Sequence, residues 1–416
     1  MVFISNDIRA VFEDLSNDLK VKKGLEFLKA DNDQTTTDQI ELTEISAPTF
    51  YEDARGQRYA EKLKELGLQQ IETDEAGNVF GLRPGTGNGP KLVICAHLDT
   101  VFPAETDVKA AVKDGKVYAP GISDDGRGLA AVLTLTRALQ NVEIETEGDL
   151  LIGATVGEEG LGDLYGVKAL FQNRNDIDGF ISIEPGTPDR VVYQGVGSRR
   201  YEVTFTGPGG HSFGSFGTAS TIHALGRAIH HISSIQPPKE PKTTFNVGVI
   251  NGGTSVNTIA QNASMLVDIR SVAQEELAKL EQVVLGYIQQ AADEENAHWT
   301  QDAISVQCKL VGDRPAGTQP EDSVIVQAAL ASAESLGYQP ELDQPSSTDS
   351  NVPINLGIPA VTLGGGGDSG GAHTLEEYFD PMDAYVGPQR ILLAVLALAG
   401  VKGVCEPLLK KKNLKV

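Results

Sequence analysis

Several apolar runs along the chain stop on charged residues. Leu92-Val93-Ile94-Cys95-Ala96 runs into His97-Leu98-Asp99. Leu150 to Val156 runs into Gly157-Glu158-Glu159-Gly160, and Gly179-Phe180-Ile181-Ser182-Ile183 runs into Glu184-Pro185. Ala360-Val361-Thr362-Leu363 is followed by Gly364-Gly365-Gly366-Gly367 and then by Gly371-Ala372-His373. Short β-branched runs bounded by Gly or Pro predict buried strands. An open α/β sheet binds its ligands outside the carboxyl ends of its strands. The charged residues are therefore predicted for one edge of one sheet.

Other stretches carry helical spacing. Residues 7–29 place Ile8, Val11, Phe12, Leu15 and Leu19 on one face and predict an entry helix. A helix is expected from Tyr51 to Leu66, after the break Ser46-Ala47-Pro48-Thr49, and a strand or hairpin over Gln70–Leu82. A polar loop then leads to Gly121-Ile122-Ser123-Asp124-Asp125-Gly126-Arg127-Gly128 and a helix over Leu129–Leu139. Asp is a good N-cap, and one capping Asp is routine. Two in a row between glycines are less so.

The pattern changes near residue 196. Arg200–Thr206 alternates apolar and polar residues, as an antiparallel strand with one exposed face does. A turn at Gly207-Pro208-Gly209-Gly210-His211-Ser212 follows. Then come a helix over Ser220–Ser233, strands over Thr243–Ile250 and Ala263–Ser271, and a helix over Ala273–Ala292. This is a compact α+β unit. Beyond about residue 310 the earlier style returns, with a helix over Ser323–Leu336, the glycine-rich strand end and a last helix from Asp383 to about Val401. The expected organisation is an α/β domain over 1–195 and 309–416, interrupted by an inserted α+β domain over 196–308.

Composition adds limits. A chain of 416 residues exceeds one ordinary core, which agrees with two domains. Its net charge of −23 opposes binding to nucleic acid or an anionic membrane. Cys95, Cys308 and Cys405 are too few and too scattered for a disulfide framework or a cysteine zinc site. The stretch Met1–Asp7 lacks a basic region followed by a long apolar segment, and no run approaches a membrane span. A cytoplasmic protein is expected, with Lys410–Lys412 as a frayed tail.

The residues gathered at strand ends and glycine turns are His97, Asp99, Asp124, Asp125, Glu158, Glu159, Glu184 and His373. Each has a local explanation as a cap or a solvated loop. Together they match what two neighbouring divalent ions need: a His and a carboxylate for each, and one carboxylate shared. Adjacent glutamates allow one to ligate while the other acts as general base.

In this arrangement the chain resembles the co-catalytic zinc peptidases and amidohydrolases that include peptidase T, carboxypeptidase G, acetylornithine deacetylase and succinyl-diaminopimelate desuccinylase. The matching segments, in the family's order, are His97-Leu98-Asp99-Thr100, Ser123-Asp124-Asp125-Gly126, Gly157-Glu158-Glu159-Gly160, Ile183-Glu184-Pro185, Gly210-His211-Ser212 and Ala372-His373-Thr374. The resemblance implies a zinc-peptidase-type catalytic domain, with a mixed central sheet flanked by helices and an inserted lid or dimerisation domain. It implies two divalent metal ions, zinc foremost, with cobalt or manganese as alternatives. By it, Asp124 bridges the metals, His97 and Glu184 complete one, and Glu159 and His373 the other. The family's usual Lys after the Asp pair is replaced by Gly126-Arg127, so the bridge is Asp124 or Asp125, and the first is taken. Asp99 orients His97, and Glu158 is general base and then proton donor. His211 resembles the lid histidine that binds the developing oxyanion, within its own chain or across a dimer. Asn257 and Arg270 resemble substrate-anchoring positions, although Arg270 has an ion-pair alternative in Asp268. Gly364–Gly367 either presents N–H groups to a substrate carboxylate or is a flexible loop.

The implied function is metal-dependent hydrolysis of an amide bond in a short peptide by an exopeptidase of the peptidase T type, aminopeptidase or carboxypeptidase, acting as a homodimer through the inserted domain. The nearest alternative is an N-acyl amino acid deacylase of the same family. Gly210-His211-Ser212-Phe213-Gly214 also fits a nucleophile elbow, with Asp349 and His373 following in order, which would make a serine hydrolase. That reading leaves His97 and both acidic pairs without a role. A non-catalytic metal- or peptide-binding protein is the remaining alternative.

Overall fold

The computed structural model describes residues 4–87 and 89–412. The chain divides into two compact units, one running up to Gly195 and resuming at Thr318, the other spanning Val196–Gly317.

The first unit is built on an eight-stranded mixed sheet. Its order is Gln69–Thr73, Val79–Arg83, Asp149–Thr155, Lys91–His97, Gly179–Glu184, Ala360–Gly364, Arg190–Val192 and Glu341–Leu342. The four strands in the middle run parallel. They are apolar almost throughout because both faces are covered. Side chains alternate between two cores. Leu92, Ile94 and Ala96 join Leu150, Ile152 and Ala154 under the helices Gly126–Asn141 and Val386–Ala399. Val93, Cys95, Leu151 and Phe180 pack on the other side against Val167 and Leu170 of the helix Tyr165–Asn173 and Val352 of Asn351–Asn355. Gly153 admits the neighbouring strand, since a Cβ there would lie 2.0 Å from the Val79 carbonyl oxygen.

The expected entry helix is broken. Asp18 ends Asn6–Asn17 with an extended backbone, and its carboxylate accepts the N–H groups of Lys20 and Val21 to start Leu19–Ala30. A further helix, Asn32–Thr43, lacks an apolar stripe and buries Thr35, Asp38, Gln39 and Thr43 beside a single apolar residue, Leu42. The polar loop after Asp99 contains two short strands, Ala111–Lys113 and Lys116–Tyr118, which pair with Tyr378–Asp380 and Asp368–Gly370 in a small sheet. Lys412 is tied down by its N–H donating to Asp178 at 2.6 Å, so Lys410–Lys412 is not simply frayed.

The second unit has a four-stranded antiparallel sheet in the order Thr243–Gly252, Asn262–Ser271, Gly197–Thr206, Ser305–Arg314. Helices Thr221–Ser233 and Gln274–His298 cover the face carrying Val203, Phe205, Met265 and Val267. The edge strand Ser305–Arg314 lies where the sequence pattern predicts no element. Its register shifts between Leu310 and Gly312, after the alternating stretch Ser305–Leu310. No helix among the described residues is long and apolar enough to cross a membrane.

Candidate metal centre

The parallel strands bring their carboxyl ends to one edge. His97 is the last residue of its strand and stands opposite Thr155, two residues before Gly157-Glu158-Glu159. Glu184 ends the strand on the other side. Asp124 and Asp125 form the turn before Gly126–Asn141. His373 comes from the loop between the strands Asp368–Gly370 and Tyr378–Asp380.

Asp124 lies between the histidines. One carboxylate oxygen is 3.0 Å from His97 Nε2 and the other 3.1 Å from His373 Nε2. Glu159 is 2.9 Å from His373 Nε2, and Glu184 is 3.8 Å from His97 Nε2. Asp125 faces elsewhere. Its oxygens accept the N–H groups of His97 at 3.1 Å and Gly128 at 2.9 Å, so it caps the helix and ties it to the strand end.

Asp99 is fully buried beneath this set. Its backbone oxygen lies 3.0 Å from His97 Nδ1, and a proton on Nδ1 would leave the Nε2 lone pair available to a cation. Its carboxylate accepts the N–H groups of Glu158 at 2.9 Å and Glu159 at 3.0 Å, and the Thr49 hydroxyl at 2.9 Å. One residue therefore sets both the imidazole and the acidic loop. Glu158 is itself buried.

The electrostatics show a shortage of positive charge. Burial pushes the carboxyls of Glu184, Glu159 and Asp125 above the usual range, and neighbouring carboxylates add to it. Burial acts the same way on Asp124, but hydrogen bonds from His373 and His97 outweigh it and hold this group low. His97 is pushed up although burial opposes it, because Asp124 and Asp99 hydrogen-bond to it. The hydrogen bond to Asp124 raises His373 to about 9. Two imidazoles cannot neutralise this many carboxylates, and divalent cations can. His97, Asp124 and Glu159 place ligand atoms within 4.8 Å of one another, as do His97, Asp125 and Glu184. The donor set therefore fits borderline-to-hard divalent ions. Although Asp125 falls in the second group, its oxygens already accept two backbone N–H groups, whereas Asp124 faces both histidines.

Several supports were not legible in the sequence. Glu377 lies fully buried four residues after His373. Its carboxylate accepts the N–H groups of Gly121 at 2.8 Å, Ser123 at 2.8 Å and Asp124 at 2.9 Å, and the Ser123 hydroxyl at 2.6 Å. Glu52 accepts the Gly157 N–H at 3.0 Å. Arg127 is fully buried and donates from Nε to the Gly365 carbonyl at 2.8 Å, while the Gly365 N–H reaches the Glu184 carbonyl at 2.8 Å. The Gly366 N–H is bound to the Gly186 carbonyl at 3.0 Å. These two glycine N–H groups are thus spent inside the fold and do not await a substrate. A Cβ on Gly364 would lie 2.3 Å from the Gly186 oxygen, which accounts for glycine there.

His211, Asn257 and Arg270 belong to the second unit. His211 and Asn257 line a cleft of about 750 Å³ with Thr204, Asn251 and Thr254. His211 Nδ1 accepts the N–H groups of Phe213 at 3.3 Å and Gly214 at 3.2 Å, so Nε2 carries the proton and can donate. Ser212 donates its N–H to the Asn257 carbonyl at 3.0 Å. Arg270 is not among the cleft's lining residues and pairs with Asp268 at 2.7 Å. For the serine reading, His373 faces Asp124 and Glu159, and Asp349 accepts the Thr155 hydroxyl.

The chain is similar to several known proteins. The chain is 28% identical over 352 residues to an acetylornithine deacetylase from Myxococcus xanthus, covering 80% of this chain and 86% of that one. It superposes on a tripeptidase from Staphylococcus aureus with a TM-score of 0.75 and 25% identity, covering 88% and 97% of the two chains. Aminopeptidase PepT from Bacillus cereus gives a TM-score of 0.74 at 22% identity, covering 88% and 98%. Residues 93–397 match the profile of peptidase family M20/M25/M40, and the chain belongs to this family of peptidases and amidohydrolases.

Proposed function

We propose that the protein is a two-metal exopeptidase that removes a terminal residue from short peptides. The observation that carries this reading is the Asp124 carboxylate, set between His97 at 3.0 Å and His373 at 3.1 Å, with Glu159 and Glu184 beside them. His97 and Glu184 would hold one cation, His373 and Glu159 the other, and Asp124 both. Two zinc ions, or cobalt or manganese, supply Lewis acidity that lowers the pKa of an attacking water and polarises the scissile carbonyl. Glu158 takes the proton from that water and returns it to the leaving amine. Asp99 keeps His97 in its ligating tautomer and fixes the loop that carries Glu158. His211 donates from Nε2 to the developing oxyanion, from its own chain or from a second copy in a homodimer formed through the inserted unit. Asn257 anchors the substrate. Arg270 shares that role only by releasing Asp268. The setting is the cytoplasm. The tripeptidase and aminopeptidase likenesses support a short peptide as substrate.

The acetylornithine deacetylase relative favours a second reading, hydrolysis of N-acyl amino acids by the same residues. A panel of di- and tripeptides and N-acyl amino acids, with added zinc, cobalt or manganese and products read by mass, separates the two. Loss of one terminal residue from peptides, abolished by a chelator, is the expected result. Cleavage confined to acyl amino acids would replace it with the deacylase. Chelator-resistant cleavage lost in Ser212→Ala would replace both with a serine hydrolase.

A further inference from the structure

The proposed ligands come from separate segments, and most are held by backbone geometry. The turn that carries Asp124 has no strand of its own. It is closed by Glu377, whose carboxylate takes three N–H groups and one hydroxyl from Gly121, Ser123 and Asp124. Glu377 stands at the start of the strand Tyr378–Asp380, which pairs with Lys116–Tyr118 just before the turn. Its own backbone oxygen accepts the Ala119 N–H at 3.2 Å. On the turn's other side, Gln39 Nε2 donates to the Ile122 carbonyl at 2.7 Å. His373 lies on the same loop as Glu377, with a left-handed backbone at φ 65°, and the Thr374 N–H bonds to the Gly371 carbonyl at 3.0 Å. A non-glycine residue in that conformation is held by its surroundings.

We infer that Glu377 is a positioning residue for the metal pair: it locks the Asp124 turn to the loop bearing His373, so that the shared carboxylate and the second histidine are set together. Glu377 touches neither substrate nor cation. It acts through the Asp124 backbone, and a buried anion that gathers four donors holds that backbone more firmly than solvent would. Replacement by Gln puts an amide NH₂ against N–H donors. One side of the turn is then left without an acceptor in a buried place.

The inference rests on the two-cation reading, and cobalt binding separates the two. Titration of the chelated full-length protein with cobalt, followed by calorimetry and by its visible absorption, is expected to give two ions per chain. Glu377→Gln should bind them about 10- to 100-fold more weakly. Its visible band should be altered, and kcat should fall while KM stays close to that of the wild type. Ser123→Ala removes one of the four donors and should weaken binding by about three- to ten-fold. It also serves as the test if Glu377→Gln does not fold. The control is Glu295→Gln, since Glu295 is equally buried but binds Ser220, Arg227 and Trp299 in the other unit. It should lose thermal stability and keep cobalt affinity. If Glu377→Gln, or Ser123→Ala in its place, lowers the melting temperature alone and binds cobalt like the wild type with an unchanged band, Glu377 is merely structural and the inference is overturned. A wild type that binds no cobalt overturns the two-cation reading itself, and this inference with it.

Discussion

At the residue scale, Glu158 is the group proposed to move a proton, apart from those proposed to hold cations. Glu158 is buried, and its N–H is fixed by Asp99. Glu158→Gln should lower kcat by about a hundred- to ten-thousand-fold with two cations still bound. Steady-state rates and metal analysis of the same sample check both halves. Half-buried Asp176, outside the site, has purely structural work. Asp176 takes hydrogen bonds from Arg174 and Lys91, which outweigh its burial and hold its carboxyl at about 2, below the ordinary 3.8. A carboxyl depressed on folding stabilises the fold above its unfolded value, and the contribution is lost as pH falls through the folded value. The difference in unfolding free energy between wild type and Asp176→Asn should therefore be full at pH 5 and shrink towards zero as pH drops to 2. Denaturant titrations across that range measure it. A difference that grows on acidification would contradict the assignment.

At the element scale, the fold rests on strands short enough to be recognised by composition and packed closely enough to need particular residues. Gly153 meets the Val79 carbonyl, so Gly153→Ala should cost about 1–3 kcal/mol or more through overpacking. Thermal unfolding reads that loss directly. The central strands were legible because both of their faces are covered and their apolar runs are unbroken. The strand ends were legible because His97, Glu158, Glu159 and Glu184 directly follow those runs. The helix Asn32–Thr43 was not legible, because Leu42 is its one fully buried apolar residue and the others it buries are polar. Asp38 is paired there with Lys62 and Arg137 on other helices, and no periodicity records such pairing. Glu377 escaped notice because its partners are backbone N–H groups 253 to 256 residues away.

At the scale of the whole molecule, the sequence pattern places an α+β unit inside an α/β unit, and the chain divides at Gly195 and Thr318. Within the second unit the chain enters and leaves at neighbouring places. Ser198 stands opposite Arg314, and Gly197 approaches Ala316 so closely that a Cβ would meet its nitrogen at 2.4 Å. Insertions with adjacent ends leave the host fold undisturbed. With its own core around Phe205, Met265 and Ile288, a fragment of residues 196–317 should fold alone and unfold cooperatively by circular dichroism. The first unit gathers the proposed site from five separate stretches of chain, which we read as one two-cation centre. The most direct test is metal analysis after equilibrium dialysis, performed on wild type and Asp124→Ala. Two divalent cations per wild-type chain, loss of both tight sites in Asp124→Ala, and peptide hydrolysis that disappears with chelation and returns with metal are the expected results. One cation or none in the wild type, or two retained without Asp124, would contradict that reading.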